Sequence, residues 1–97
     1  ATYTIAISDR TVAVDYTTTG TVTLTLPSAA TCFVGGTGCE FNIKDSGCNA
    51  GTNNITINRA GTDTIIDSAT GQTSITMSTN CGSLWIQAKD ATTWITY

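Results

Sequence analysis

The sequence predicts an all-β protein, a compact antiparallel β-sandwich or barrel of about eight short strands. Short runs alternate between apolar and polar residues with a period of two, which places one set of side chains on each face of a strand. Turn-forming Gly, Asn, Asp and Ser residues separate these runs, and no window shows the spacing of an amphipathic helix. Threonine makes up roughly a fifth of the chain, and its β-branched side chain suits a pleated sheet.

Each predicted strand rests on the same alternation. The first run places Tyr3, Ile5 and Ile7 on one face, and the last run, which ends the chain, contains Trp94. The centres of the runs lie roughly 8–14 residues apart, the spacing typical of a sandwich or barrel with short turns. The eight clear runs, followed by a weaker ninth, lie at residues 3–7, 12–16, 22–26, 39–43, 55–57, 75–77, 84–88 and 94–97, and at residues 64–66.

The 97 residues predict a single domain. No linker-like segment or internal repeat divides the chain, and the longest irregular piece is residues 27–38. A chain of this length buries roughly 65% of the surface that its unfolded form exposes, which is enough for one hydrophobic core.

The scarcity of charge excludes some classes of protein. The net charge is −3 and charged residues make up 11% of the chain, against about 25% in a typical domain. The four cations, Arg10, Lys44, Arg59 and Lys89, are too few for the basic surface that nucleic-acid binding requires. We expect no membrane partner, because no apolar run approaches the ~18 residues of a spanning helix, and no secretory signal, because the first residues lack a basic start and an apolar core.

Four cysteines, all in or beside predicted turns, permit two disulfides in three connectivities. We favour Cys32–Cys39, which would close the long loop, together with Cys48–Cys81, which would join two turns at one end of a sheet. Free buried thiols and a zinc site are the alternatives, although a Cys₄ zinc site usually has closely spaced cysteine pairs that this chain lacks.

Residues 41–67, FNIKDSGCNAGTNNITINRAGTDTIID, carry a resemblance to a known family. This sequence, together with VTLTLPSAA at residues 22–30 and the segment 75–94, resembles a small β-domain that recurs in tail-fibre, head-fibre and other surface proteins of tailed bacteriophages. The resemblance implies that residues 22–97 form this domain and that the protein lies on the outer surface of a virion. Where the family commonly has a small residue near position 48 and an aromatic near position 81, this chain has Cys48 and Cys81, which strengthens the second proposed disulfide.

We expect the protein to associate with copies of itself. Threonine-rich strands with few Lys or Glu residues leave the edges of a sheet poorly protected against pairing with another chain. The resemblance implies a homotrimer, since phage fibre and surface domains are usually trimers. A monomeric sandwich is the alternative.

The chain offers little chemistry for catalysis. It contains no His, the usual general base and the partner of a nucleophilic cysteine. The carboxylates Asp45, Asp63 and Asp67 fall in or beside turns, where Asp ordinarily hydrogen-bonds nearby backbone. We therefore expect no enzymatic activity, no cofactor and no metal.

Aromatic and apolar residues supply the candidates for a binding surface or subunit interface. Phe33 and Val34 fall within the loop that the proposed Cys32–Cys39 bridge would close. Exposed apolar side chains at the tip of a loop are unfavourable unless a neighbouring subunit, a capsid surface or a host receptor covers them. Trp85 lies between Leu84 and Ile86 in a strand, so its side chain points away from theirs. Trp94 matches the aromatic near the end of the phage domain, whose ordinary role is core or interface packing.

These observations favour a capsid decoration, or cement, protein that stabilises the shell by binding the major capsid protein or other virion proteins. A tail-fibre or head-fibre tip domain that binds a host receptor is the alternative, and a secreted, disulfide-stapled, lectin-like module is a further one. Residues 1–15 lie outside the strongest resemblance, and we expect them to provide the contact specific to the particle.

Overall fold

The computed structural model describes residues 1–33, 38–67 and 70–97. Strands take up 46% of these described residues and helix 4%, so the prediction of an all-β protein is confirmed. In chain order the elements are β1 (Thr2–Thr4), β2 (Thr11–Ala13), β3 (Val22–Thr25), α1 (Ala29–Cys32), β4 (Glu40–Lys44), β5 (Ile55–Asn58), β6 (Thr64–Asp67), β7 (Thr70–Gln72), β8 (Ser74–Met77), β9 (Ser83–Asp90) and β10 (Thr93–Thr96).

The strands form two sheets that share one hydrophobic core. One sheet has four strands in the order β1-β3-β5-β8, and the other has six in the order β2-β4-β9-β10-β6-β7. Within the described part of the chain the sheets do not close into a barrel, so β1, β8, β2 and β7 remain edge strands.

The prediction of antiparallel pairing was wrong, because both sheets are mixed. Strands β1 and β3, β3 and β5, β2 and β4, and β6 and β10 run parallel. For the first three of these pairs the physical reason is the path of the chain: its first six strands alternate between the two sheets. A strand that returns to its own sheet after a visit to the other one can enter in the same direction, whereas a tight hairpin reverses it.

Two short elements differ from the sequence-based expectation. Helix α1 lies within the segment expected to be irregular and is too short for helical periodicity to be visible in the sequence. Its first backbone N–H, that of Ala29, donates to Oδ2 of the buried Asp63 at 2.8 Å. Strand β7 was expected to be a turn, and its Thr-Gly-Gln sequence has no apolar residue to produce an alternation.

The core is built from the inward-facing residue of each alternating pair. Leu24 and Ile57 from the four-stranded sheet and Ile43, Ile86 and Trp94 from the six-stranded sheet belong to one buried cluster. Burying a large apolar side chain contributes roughly 1.5–3 kcal/mol, so this cluster is the principal source of stability.

An aromatic pair lies within this core. Phe41 and Trp94 are both fully buried, and their ring centroids are 5.7 Å apart with planes inclined by 30°. The packing role that the resemblance implied for Trp94 is therefore its role within this chain. Among the described residues, Nε1 of Trp94 has no hydrogen-bond partner.

Buried polar side chains fix the loops at the ends of the sheets. The carboxylate of Asp45 accepts the backbone N–H groups of Ala50 at 2.8 Å and Cys81 at 3.1 Å. The side chain of Asn53 accepts the N–H of Gly20 and donates to the carbonyl oxygen of Thr18. Asp45 and Asp63 thus have structural roles, as expected of turn carboxylates, but their partners include backbone that is distant in the sequence.

The structure contains the disulfides Cys32–Cys39 and Cys48–Cys81, so the proposed connectivity is confirmed. The first bridge joins the end of α1 to the residue before β4. The second joins the turn after β4 to the turn before β9, the strand that pairs with β4. Cys48 and Cys81 both have positive φ angles, 54° and 61°, in the left-handed region that residues other than Gly rarely adopt.

The two tryptophans provide a test of the core. Replacing the buried Trp94 with Ala should lower the free energy of unfolding by about 3–5 kcal/mol, because it removes a large side chain and leaves a cavity. The matched control is Trp85→Ala, whose side chain is about half exposed and whose loss should lower stability by only about 1 kcal/mol, the scale of a cross-strand contact. Denaturant unfolding followed by circular dichroism measures both, and equal losses would contradict this assignment of the core.

The left-handed cysteines allow a second test. Replacing Cys48 and Cys81 together with Ala should lower the free energy of unfolding by about 4 kcal/mol, since the bridge constrains a long loop in the unfolded chain. The corresponding double Gly variant should be more stable than the double Ala variant by about 1 kcal/mol or more, because Gly adopts positive φ without a steric penalty. Calorimetric unfolding of both variants gives the difference, and a less stable Gly variant would contradict the prediction.

Candidate functional site

The outer face of the six-stranded sheet carries two exposed aromatic side chains in one row. Asn42 on β4 lies opposite Trp85 on β9, and on the other side the backbone N–H of Tyr97 donates to the carbonyl oxygen of Trp85 at 2.9 Å. Trp85 is 48% exposed and Tyr97 is 71% exposed. Residues opposite each other on neighbouring antiparallel strands have Cβ atoms about 4.5–5.5 Å apart, so the two aromatic residues form one patch.

The next row along the same face extends the patch. Gln87 lies between Glu40 and Ile95 in the register of β4, β9 and β10. The Tyr97 hydroxyl donates to Oε1 of Gln87 at 2.8 Å, which ties the Tyr97 ring to this second row. We call this surface the aromatic face and define it by the following residues: Asn42, Trp85, Gln87, Ile95 and Tyr97.

Charged residues of both signs border the aromatic face. Glu40 and Lys44 flank Asn42 on the same side of β4, and the Lys44 ammonium donates to the carbonyl oxygen of Cys81. At the far end of β9, Lys89 and Asp90 form an exposed ion pair at 3.4 Å, a kind of pair that contributes little to stability. The pKa of Asp90 is lowered to about 2, first by the backbone N–H of Thr92. An exposed apolar centre with a polar rim is the arrangement of many interaction sites.

A second candidate surface is a groove between β1 and β2, the edge strands at which the two sheets approach each other. Its volume is about 310 Å³. A short loop closes one end of the groove, where Oδ2 of Asp9 accepts the Tyr3 hydroxyl at 2.8 Å and the backbone N–H of Ala6 at 2.9 Å. We call it the N-terminal groove; its lining residues include Tyr3, Asp9, Val12, Tyr16 and Val22.

The N-terminal segment itself is part of the fold. Ile5 is buried in the core, and its backbone N–H donates to the carbonyl oxygen of Thr25 at 2.8 Å. The residues that follow it, Ala6, Ile7 and Ser8, are exposed, and Ile7 is the large apolar side chain among them. Any contact made by residues 1–15 would therefore come from a fixed surface.

The structure brings only part of the predicted set to the surface. Trp85 is exposed, whereas Trp94 is buried and Phe33 packs half-buried against the core of its own chain. Phe33 therefore requires no external cover, and Val34 lies outside the described residues. Sequence reasoning missed Tyr97, whose place beside Trp85 depends on the register of β9 and β10.

The remaining polar chemistry of the surface is limited. Within residues 1–33, 38–67 and 70–97, no group of three or more His, Cys, Asp or Glu side chains is placed to hold a metal ion. Asp67, the third carboxylate considered above, accepts a hydrogen bond from the Thr96 hydroxyl at 2.9 Å. No helix in the described ranges is long and apolar enough to cross a membrane.

Comparison with known proteins gives no match: no family model, no curated protein and no solved structure is significantly similar to this chain. The indications of function are therefore the two surfaces described above and the sequence of residues 41–67.

The loop that closes the N-terminal groove should respond to pH at both extremes. Hydrogen bonds from the Ala6 N–H and then from Tyr3 lower the pKa of Asp9, so the stability that this carboxylate provides is present above about pH 3.9 and is lost as the pH falls through its lowered value. The hydrogen bond that Tyr3 donates to Asp9 raises the pKa of Tyr3. The stability that the Tyr3 hydroxyl provides is therefore present up to about pH 10 and is lost as the pH rises through the raised pKa.

An NMR titration tests this assignment. The Ala6 amide resonance should shift below about pH 4 as Asp9 takes up a proton, and Asp9→Asn should abolish that shift. In Tyr3→Phe the pKa of Asp9 should rise but stay below its ordinary value, because the Ala6 N–H is the larger cause. An Ala6 shift that persists in Asp9→Asn would contradict the proposed hydrogen bonds.

Proposed function

We propose that this chain is a non-enzymatic structural protein of a bacteriophage virion, a capsid decoration protein that binds the outside of the shell through its aromatic face. The observation that carries the proposal is the pair of exposed aromatic side chains, Trp85 and Tyr97, held side by side within a polar rim. This patch, together with the resemblance of residues 41–67 to phage surface domains, supports a role in attachment to another molecule.

The arrangement of the aromatic face suits attachment to another protein. Tryptophan and tyrosine are enriched among the few interface residues that provide most of the binding energy, and such residues lie inside a rim that excludes water. The Tyr97 hydroxyl is already bound to Gln87, so less conformational freedom is lost on binding. Strands β4, β9 and β10 carry the patch except for Tyr97, which directly follows β10, and they give it a firmer scaffold than a loop would.

We further propose that the protein acts as a homotrimer. The edge strands β1 and β2 carry no charged residue, so they lack the charged side chains that commonly prevent edge-to-edge pairing. A trimer would present three aromatic faces to a shell, and linked binding sites raise the overall affinity without any new contact.

A lectin-like module is the second candidate, and the same patch favours it. Aromatic rings beside the amide groups of Asn42 and Gln87 combine apolar area with hydrogen-bonding groups, the composition by which polar ligands are oriented in a site. The fibre-tip alternative places the contact with a host receptor in the N-terminal groove.

Binding to capsids assembled without the protein is the principal test. Trp85→Ala should weaken binding about 30-fold or more, as expected for loss of a central aromatic contact. Tyr3→Ala is the matched control, because Tyr3 is equally exposed, at 48%, but lies on the N-terminal groove. Point variants suit this test, because truncation of the N-terminus would remove the core residue Ile5.

Each outcome distinguishes between the candidates. If Trp85→Ala weakened capsid binding and Tyr3→Ala did not, the aromatic face would be supported as the capsid contact. The reverse pattern would assign the contact to the N-terminal groove. If the unaltered protein bound no capsid, the decoration role would be rejected. A glycan array that then showed a sugar preference abolished by Trp85→Ala would establish the lectin-like alternative.

A further inference from the structure

The outer face of the four-stranded sheet presents a regular array of small polar side chains. The register of the four strands aligns Thr2, Thr23, Thr56 and Thr76 in one row. A second row, two residues along each strand, consists of Thr4, Thr25, Asn58 and Ser74. We call these eight residues the threonine face.

The array repeats in two directions. Neighbouring strands in a sheet lie about 4.8 Å apart, and residues on the same face of a strand are separated by about 6.6 Å. Strands β1, β3 and β5 run parallel and contribute side chains at matching heights, and β8 completes both rows. On β3, β5 and β8 the intervening residues Leu24, Ile57 and Ile75 are buried in the core, which fixes these three strands of the array to the rigid part of the molecule.

None of the eight residues is charged, and all are exposed or half-buried. The opposite sheet carries Glu40, Lys44 and Lys89 on its strands. The nearest cation in the sequence, Arg59, directs its guanidinium to the backbone carbonyl oxygen of Asp63. The threonine face therefore has no charged side chain, and the charge beside it is the terminal ammonium of Ala1, which donates to the carbonyl oxygen of Thr21.

The composition of this face does not suit the common macromolecular ligands. A nucleic acid requires cations to neutralise its phosphates, and a protein partner is usually held by Trp, Tyr or Arg. Stacking on a sugar ring requires an aromatic side chain, and the eight positions include none. The face thus matches a ligand that is itself uncharged, periodic and rich in hydrogen-bonding groups.

We propose that the threonine face binds the surface of ice. Each Thr hydroxyl is one donor and two acceptors, so a row of hydroxyls can replace water molecules in a hydrogen-bonded lattice. The face matches this occupant in charge, because the lattice is neutral and a charged side chain would hold its own hydration shell against it. Threonine has a restricted χ1 angle, so the array loses little conformational freedom on binding. The inference is independent of the proposed capsid contact, which lies on the other sheet.

Two measurements on the purified protein test the proposal: the gap between the melting and freezing temperatures of a solution that contains seed ice, and the enrichment of the protein in slowly growing ice. The unaltered protein should produce a gap and should enter the ice. Thr56 lies in the centre of the array. The Thr56→Tyr variant should need about a tenfold higher protein concentration to produce the same gap, because the tyrosine ring would hold the rows of hydroxyl groups away from the ice. Tyrosine is also a good strand residue, and circular dichroism checks that the variant is folded.

Matched variants distinguish the array from a general effect of substitution. Thr11→Tyr makes the same exchange at an exposed strand position of the other sheet and should behave like the unaltered protein. Thr56→Val keeps the shape of the side chain but removes the hydroxyl, and it should weaken ice binding. The proposal would be overturned if the unaltered protein produced no temperature gap and did not enter ice, or if folded Thr56→Tyr bound ice as well as the unaltered protein. It would also be overturned if the protein were excluded from ice and retained by crystalline cellulose, the control for an uncharged, periodic ligand other than ice.

Discussion

The rest of this structure depends on one constraint: each strand that contributes to the common core can bury only one of its two faces. Leu24 and Ile57 from one sheet and Ile43 and Ile86 from the other meet in a single buried cluster. A slip of one residue in any of these strands would turn its apolar set to solvent, so the core fixes the register. The register in turn decides what the outer faces display, and both candidate binding faces follow from it.

The alternation in the sequence was sufficient to predict the all-β class and the approximate position of most strands. Periodicity reports which residues share a face, and it says nothing about which strand lies next to which. The mixed pairing therefore could not be predicted, since it depends on connections between the sheets. Strand β7 was missed because an edge strand without apolar residues has no signal of this kind.

The candidate surfaces were predictable to a similar degree. The outward direction of Trp85 follows from its position between Leu84 and Ile86, but its neighbour Tyr97 directly follows another strand, β10, and became visible only with the register. Phe33 was expected at an exposed tip, and its packing against the core depends on a helical turn that the sequence does not indicate. The disulfide pairing needed more than the turns, because four cysteines near turns permit three connectivities. The correct choice rested on the long loop that Cys32–Cys39 closes and on the departure from the resembled family at positions 48 and 81.

The alternation of the first strands between sheets also affects how the molecule is assembled in time. In the described chain, the strands that pair with a partner close in sequence are β6 with β7 and β9 with β10. Every pairing of β1, β2 and β3 joins segments separated by at least one strand of the opposite sheet. Non-local pairing of this kind slows folding, because the entropy of closing a loop is lost before the contact forms. The amino-terminal half, which a ribosome releases first, therefore cannot complete either sheet alone. The four-stranded sheet must wait for β8, and the six-stranded sheet must wait for the pairs β6-β7 and β9-β10.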